Sequence, residues 1–134
     1  MDAVERFASA RIARLATVGL GSVPHLVPIV FALDSGTIYS SVDHKPKRTT
    51  ALRRLQNIAA NPAVSVLVDH YDENWDQLWW VCANGRAEIL DAGTPECISA
   101  IDILAAKYSQ YVERRPDGPV IAVRDLQWHH WSAL

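Results

Sequence analysis

The segment from Pro24 to Leu33 is apolar on both sides of the strand that its residues predict. Alternate side chains of an extended chain point to opposite faces, so Val27 and Phe31 lie on one face and Leu26 lies on the other. A strand that exposes neither face to water needs two covering layers. In a chain of 134 residues, a β-barrel supplies the inner layer. A second copy of the chain supplies the outer layer most simply, which predicts a homodimer.

Six or seven segments predict β-strands, so the expected fold is mainly β: an antiparallel barrel with short helices filling its gaps. The first three strands follow one another through short turns, which predicts a meander. No repeat, linker or low-complexity tract divides the chain, so residues 1–134 are predicted to form one domain. The predicted strands span residues 12–18, 24–33, 37–42, 63–71, 78–90 and 120–131.

The pair Asn84-Gly85 lies in the middle of the segment 78–90 and has two interpretations. It is compatible with a tight hairpin turn, which would divide the segment into two strands, or with a β-bulge in one continuous strand. We favour the bulge, because the residues on either side alternate in a single phase.

Three helices are predicted from capping residues and apolar periodicity. Asp2 followed by Glu5 is typical of a helix N-terminus, and Thr94 followed by Pro95 predicts another. The central helix carries an apolar stripe and ends before Pro62. The predicted helices span about residues 3–10, 48–60 and 95–107.

Composition excludes several classes of function. The formal net charge is −2 and the pI is near 6.2, whereas a general nucleic-acid or membrane-surface binder carries excess positive charge. No apolar run approaches the roughly 20 residues of a membrane-spanning helix, and the N-terminus is too polar for a signal peptide. Cys82 and Cys97 match no metal spacing and no disulfide framework. We therefore expect a cytoplasmic protein that binds no nucleic acid, no membrane and no metal ion.

Against this acidic background, residues 43–57 contain five of the 13 lysines and arginines. The cluster follows an apolar strand and opens a helix, so cations and unpaired helix amides would converge as they do in phosphate sites. On a helical wheel, Arg48 falls within the apolar arc, whereas Arg53 and Arg54 fall outside it, toward solvent or a partner chain. The plain alternative is a solvated helix face without a ligand. The five cations are Lys45, Lys47, Arg48, Arg53 and Arg54.

Five segments follow one another along the chain, at residues 13–18, 24–28, 43–47, 57–62 and 68–75. In this order and spacing they resemble the pyridoxamine phosphate oxidase-like split β-barrel proteins. Within that family the chain looks most like the actinobacterial branch that uses the deazaflavin coenzyme F420. The resemblance implies a homodimer of split barrels, with a flavin or deazaflavin in a groove at the subunit interface.

The resemblance also implies roles for particular residues. The cations that hold the cofactor phosphate match Lys45, Lys47 and Arg48, with Thr49 as a hydroxyl donor. The spacing usual in the family instead selects Arg53 and Arg54, so both sets are candidates, and the wheel favours the first. The ring system would lie against the second strand, at His25, Leu26, Val27 and Pro28.

The activity that the resemblance implies is hydride transfer between the cofactor and a small organic substrate. Coenzyme F420 suits a strongly cationic site, and FMN is the alternative cofactor. Trp79 or Trp80 of a neighbouring subunit would line the substrate side of the ring. No protein acid or base is predicted, because the cofactor carries the reactive atom. No nucleophile is predicted either, because Tyr39, Ser40 and Ser41 lack a partnered base. A cofactor-binding or storage protein without turnover is a further alternative.

Overall fold

The computed structural model describes residues 1–42 and 49–133, with the backbone alone for residues 49–52. Four α-helices are present in this part of the chain: α1 (Ala3–Ser9), α2 (Thr49–Ala60), α3 (Pro95–Lys107) and α4 (Gln110–Glu113). A 3-10 turn spans Trp75–Gln77. The strands are β1 (Ala13–Val18), β2 (Pro24–Ile29), β3 (Ala32–Asp34), β4 (Thr37–Ser41), β5 (Ala63–His70), β6 (Trp79–Leu90) and β7 (Val120–Ser132).

The seven strands form one antiparallel sheet in the order β2-β1-β5-β6-β7-β4-β3. In a flat sheet, six strand intervals would separate β2 from β3 by about 29 Å. However, β2 ends at Ile29 and β3 begins at Ala32, and three Cα steps span at most about 11 Å. The sheet must therefore curl until its two edges nearly meet, which confirms the prediction of a mainly β, barrel-like fold.

The sequence prediction of one strand over residues 24–33 is wrong, and so is the meander built on it. The chain leaves β2 after Ile29 and enters β3 at Ala32, on the opposite edge of the sheet. β2 pairs with β1, and β3 pairs with β4. The corner at Val30 and Phe31 is apolar and buried or half-buried, so its composition does not differ from that of a strand. Periodicity therefore could not locate it.

The barrel interior is filled by side chains from the strands, together with Phe7 of α1 and Ile58 of α2. Phe7 of α1 is fully buried, and its ring centre lies 5.0 Å from those of Phe31 and Trp128. The start of α1 is fixed by the predicted cap: the Asp2 carboxylate accepts from the Glu5 amide at 2.8 Å, and the Glu5 carboxylate accepts from the Asp2 amide at 2.9 Å. This end of the chain is thereby tied to the core.

A second buried cluster lies outside the barrel, where α3 covers β3, β4 and β7. Leu104 and Cys97 of α3 are fully buried there against Val120 and Ala122. Thr94 caps this helix by accepting a hydrogen bond from the Cys97 amide, as its sequence predicted. One half of the outer surface of the sheet is thus covered within the chain itself.

The other half of the outer surface, on β2, β1 and β5 and the adjoining parts of β6 and β7, carries exposed apolar side chains. Cross-strand partners share a face, so the strand register defines one row of outward-facing residues across five strands. Three large apolar side chains of this surface are well exposed: Leu26 at 67%, Trp131 at 46% and Trp80 at 38%. The row consists of Pro28, Arg14, Leu67, Cys82 and His129.

The strand β6 is continuous through Gly85, and its register against β7 shifts between Asn84 and Arg86. The bulge is thus confirmed and the hairpin alternative is wrong. A Cβ atom at Gly85 would lie 2.6 Å from the Arg124 carbonyl oxygen, so this close approach of two strands requires glycine. Among the described residues, no helix is long and apolar enough to cross a membrane.

Candidate ligand-binding site

A cavity of about 610 Å³ lies where the chain crosses from β2 to β3. One wall is apolar and consists of Pro28 and Ile29 at the end of β2, together with Val30 of the corner. The opposite walls come from β4, from α2, from the segment before β1 and from the α3–α4 junction. These walls contribute Ser40, Ser41, Arg54, Arg11, Ile12, Tyr108, Gln110 and Tyr111.

Two hydroxyl groups from β4 reach this cavity and differ in their hydrogen bonding. Ser40 Oγ donates to the Val30 carbonyl oxygen at 2.9 Å and so ties β4 to the corner. Ser41 is 6% exposed, and its Oγ is buried without a hydrogen-bond partner among the described residues. A buried hydroxyl that stays unpaired costs about 1–3 kcal/mol. A ligand with a polar atom at this position would remove that cost.

The wall of the cavity contains two cationic side chains. Arg54 and Arg11 both line it, and no Asp or Glu is among the described residues of its wall. Arg54 is half-buried, although the helical wheel placed it toward solvent or a partner chain. A helical wheel shows which side of α2 faces the barrel interior. It does not show that residues of β2 and β4 lie beside the helix and partly cover Arg54.

The helix that carries Arg54 is held against β1 by a buried polar contact. Asn57 Nδ2 donates to Thr17 Oγ1 at 3.0 Å, and both residues are buried. A Cβ atom at Gly19 would overlap Asn57 Oδ1, so the turn after β1 requires glycine for the helix to approach this closely. The backbone of Arg54 is thereby held in a fixed position relative to β1 and β2.

Arg11 is positioned by α3 and the residue that follows it. Its Nη2 donates to the Lys107 carbonyl oxygen at 2.9 Å, and its guanidinium lies 4.6 Å from the centre of the Tyr108 ring. The Tyr108 hydroxyl accepts from the Phe31 amide at 3.2 Å. It donates its proton to the Phe31 carbonyl at 2.9 Å or the Arg11 carbonyl at 3.0 Å. Tyr108 therefore joins Arg11 to the corner.

Lys107 adds a second cation beside Arg11. Its Nζ donates to the Phe31 carbonyl at 2.9 Å and to the Ala8 carbonyl at 3.1 Å. Burial, and to a smaller extent the charge of Arg11, lowers the pKa of Lys107 to about 8. The charged form is therefore less favourable here than in water, since carbonyl oxygens and not a carboxylate surround it.

His25 of β2 is half-buried, and its Nδ1 is buried without a hydrogen-bond partner among the described residues. Burial lowers the pKa of His25, and the charges of Arg53 and Arg54 lower it further. The imidazole is therefore held in its neutral form near pH 7.

The structure brings some of the predicted site residues together and leaves others apart. Of the four residues predicted to contact the ring, Pro28 lines the cavity, whereas His25, Leu26 and Val27 precede it on the same strand. Among the predicted phosphate ligands, Arg54 lines the cavity and Arg53 is exposed. Thr49 begins α2, but its side chain is outside the described part. Lys45, Lys47 and Arg48 lie outside the described residues.

Trp79 and Trp80, the predicted substrate residues, lie away from this cavity. Trp79 is half-buried and stacks on His70 with ring centres 5.7 Å apart, and the Arg6 guanidinium lies 5.3 Å from its ring. Trp80 faces outward and lines a second cavity of about 470 Å³ with Leu67, Asp69, Cys82 and His129. Both roles remain predictions, since they depend on a neighbouring subunit.

The sequence analysis did not select Arg11 or Tyr108, and it considered Ser41 only as a nucleophile. Arg11 and Tyr108 are 97 residues apart and meet through the barrel fold, so no local pattern connects them. The sequence did contain a signal for Ser41 as a ligand contact, because its hydroxyl lies on a predicted apolar strand directly before the basic segment. Among the described residues, no group of three or more His, Cys, Asp or Glu side chains could hold a metal ion.

Comparisons with known proteins show what the chain is similar to. The family model for pyridoxamine 5'-phosphate oxidase matches residues 1–132. No curated protein matches the sequence.

Three solved structures are similar over nearly the whole chain, and all three are below 25% identity, so they show the fold alone. The heme storage protein HutZ of Vibrio cholerae has a TM-score of 0.74 and 14% identity, covering 96% of this chain and 91% of that one. The conserved hypothetical protein Rv2991 of Mycobacterium tuberculosis has a TM-score of 0.72 and 24% identity, covering 99% and 86%. A FAD-binding protein of Mesorhizobium loti has a TM-score of 0.70 and 20% identity, covering 97% and 93%.

Proposed function

The chain belongs to the pyridoxamine 5'-phosphate oxidase family, and from this premise we propose that it is an oxidoreductase that binds coenzyme F420 in the cavity beside β2. The family binds flavins and includes oxidoreductases. The observation that carries the proposal is the cavity itself, which combines an apolar strand wall, an unpaired buried hydroxyl and a cationic end. A planar, negatively charged redox cofactor has the chemistry that these three features require.

The residues present fit such a cofactor. Its phosphate would lie at the α2 end, where Arg54 lines the cavity and Arg53 is the next residue; Lys45, Lys47, Arg48 and Thr49 remain proposed ligands from the sequence. Its ring system would lie along β2, against Pro28 and Ile29, with the backbone of His25, Leu26 and Val27 available to its polar edge. Ser41 Oγ would hydrogen-bond a polar atom of the cofactor. When bound, the cofactor supplies the hydride chemistry.

The protein contributes orientation, exclusion of water and charge neutralisation to the proposed reaction. The apolar wall of β2 removes water from one side of the ring, and the arginines offset the negative charge of the phosphate. No residue is assigned as an acid or base. This division of labour suits hydride transfer, in which the reactive atom belongs to the cofactor.

FMN is the alternative cofactor, and direct binding separates it from coenzyme F420. Each would be titrated into the purified protein while the quenching of tryptophan fluorescence is followed. We expect tight, saturable binding of coenzyme F420, with a dissociation constant at least tenfold lower than that of FMN. Tighter binding of FMN would replace the deazaflavin proposal with a flavin-dependent oxidase or reductase.

A homodimer is part of the proposal. The supporting observation is the exposed apolar half of the outer sheet surface, which includes Leu26, Trp80 and Trp131. In an isologous interface the same surface meets itself. This arrangement would place Trp80 and the second cavity of one copy against the face that holds β2 of the other. Trp80 would then line the substrate side of the ring, whereas Trp79 stacks on His70 of its own chain.

Storage without turnover is the second candidate function, because one structurally similar protein is a heme storage protein. A turnover assay distinguishes it from catalysis. The protein would be mixed with its reduced cofactor, and the cofactor absorbance would be followed with and without candidate substrates. We expect substrate-dependent oxidation of the cofactor. Tight binding with no substrate-dependent oxidation across a broad panel would favour storage.

A further inference from the structure

The cavity has two cationic ends, and the proposed cofactor phosphate uses one of them. Arg54 belongs to α2, which is held at Thr17 by Asn57, and Thr17 pairs with His25 near the beginning of β2. Arg11 lies near the end of β2, because Ala13 two residues later pairs with Ile29. His25 and Ile29 are four residues apart, which is about 13 Å along a strand. The two arginines therefore enter the cavity from backbone positions near opposite ends of β2.

The Arg11 end has donors to offer to a ligand. Within the part of the chain that the structure describes, Arg11 makes one side-chain hydrogen bond, from Nη2 to the Lys107 carbonyl oxygen. A guanidinium has five N–H donors in a planar fork that matches a carboxylate or a phosphate. The contact with Tyr108 and the hydrogen bond to Lys107 restrict the guanidinium, so less side-chain freedom is lost when an anion binds.

Electrostatics at this end also favour an anion. The charge of Arg11 contributes to the lowered pKa of Lys107, and neither side chain forms an ion pair with a described carboxylate. Tyr111 and Gln110 line the same end and add polar groups to the wall. An anion beside Arg11 would offset the repulsion between the two cations.

We propose that Arg11 binds the carboxylate or phosphate group of a second, small anionic ligand, which is the substrate of the proposed hydride transfer. This inference rests on the proposed function, because a substrate role requires a cofactor along β2. The apolar corner at Val30 would contact the uncharged part of the ligand. Arg11 thus determines the substrate class: a small organic acid or phosphate ester, not a neutral molecule.

The test compares three probes on three proteins. Benzoate, phenyl phosphate and neutral benzamide are titrated by calorimetry into the wild type, Arg11→Gln and Arg115→Gln, each with and without bound cofactor. Arg115→Gln is the matched control, since Arg115 pairs with Asp102 on the surface and does not line the cavity. Cofactor affinity is measured separately for all three proteins.

We expect at least one of the two anions to bind the wild type and Arg115→Gln equally, and to bind Arg11→Gln at least tenfold more weakly. The anion that binds more tightly identifies the acid group as carboxylate or phosphate. Benzamide should bind all three proteins equally weakly, and Arg11→Lys should restore part of the anion affinity. Cofactor affinity should differ by less than twofold between the variants.

Equal binding of the anions by the wild type and Arg11→Gln would overturn the proposal, and so would the absence of anion binding to the wild type. These outcomes are distinct from a failure of the proposed function, in which none of the three proteins, including the wild type, would bind the cofactor. The shift of the Arg11 Nε–Hε resonance on addition of benzoate or phenyl phosphate gives a second readout. That readout requires neither cofactor nor activity.

Discussion

The Lys107 ammonium lies 3.9 Å from the centre of the Phe31 ring and donates a hydrogen bond to the Phe31 carbonyl oxygen. The last residue of α3 is thereby attached to the corner that joins the two edges of the sheet. The same side chain also reaches the Ala8 carbonyl in α1. One cation therefore connects α1, the corner and α3, at a place where its charge is partly desolvated.

Lys107 should make the stability of the fold depend on pH. Its pKa is about 8 in the folded protein, below the ordinary value of 10.5, so between these values the unfolded chain binds more protons. Stability rises with pH wherever the unfolded state binds more protons. We therefore expect Lys107 to contribute an increase in the free energy of unfolding from pH 8 to pH 10.5. Urea unfolding of the wild type and Lys107→Met at several pH values measures this contribution.

The comparison with Lys107→Met removes the contributions of other titrating groups, which both proteins share. The wild type should gain more stability than the variant as the pH rises. Parallel pH profiles for the two proteins would contradict the prediction.

Ser41→Ala should have opposite effects on stability and on cofactor affinity. Without a ligand, the substitution removes a buried hydroxyl that has no described partner, so the free energy of unfolding should rise by about 1 kcal/mol. With a ligand, a hydrogen bond is lost, and the affinity for the cofactor should fall by about 1 kcal/mol, roughly fivefold. Chemical denaturation and fluorescence titration measure the two effects.

Ser40→Ala is the control for this pair of measurements. It removes the hydrogen bond to the Val30 carbonyl and should therefore lower the free energy of unfolding. If Ser41→Ala behaves like Ser40→Ala in the absence of ligand, the hydroxyl has a partner in the free protein and the interpretation of Ser41 as a ligand contact is wrong.

The pKa of His25 should report on the charge at the α2 end of the cavity. Burial is the largest cause of the lowered pKa of His25, and the charges of Arg53 and Arg54 lower it further. Arg54→Gln should therefore raise the pKa of His25, and so should a bound cofactor phosphate, because each reduces the positive charge beside the ring. NMR titration of the His25 ring protons measures both effects. An unchanged pKa in Arg54→Gln would show that the guanidinium lies too far from the imidazole to matter.

Leu26→Asp should dissociate the proposed homodimer. Leu26 is 67% exposed on the apolar half of the outer sheet surface, so a carboxylate there would be buried without a partner in an isologous interface. Leu20→Asp is the control, since Leu20 is 89% exposed in the turn after β1 and not on the sheet. Sedimentation equilibrium should show a monomer for Leu26→Asp and a dimer for Leu20→Asp. A dimer in both would place the interface elsewhere.

The features that the sequence predicted are those that neighbouring residues determine. The cap formed by Asp2 and Glu5, the start of α3 after Thr94 and the bulge at Gly85 each depend on a few adjacent positions. Local hydrogen bonds and backbone preferences suffice to specify such features. The basic segment likewise predicted an anion site at the central helix, and Arg54 of α2 lines the cavity.

The features that the sequence did not predict arise from contacts between distant segments. The corner at Val30 is as apolar as a strand, and only the curl of the whole sheet shows that the chain changes edges there. Arg11 is held at the cavity by contacts with Lys107 and Tyr108, which are nearly 100 residues away in the sequence. Such contacts have no signature in local periodicity.

The corner between β2 and β3 is both the seam of the barrel and a wall of the cavity. A ligand bound in the cavity would therefore contact the residues that join the two edges of the sheet, so binding should reduce local opening of the barrel there. Amide hydrogen exchange at Val30 and Phe31 should therefore slow when a ligand binds, and it would measure the fraction of protein with an occupied site.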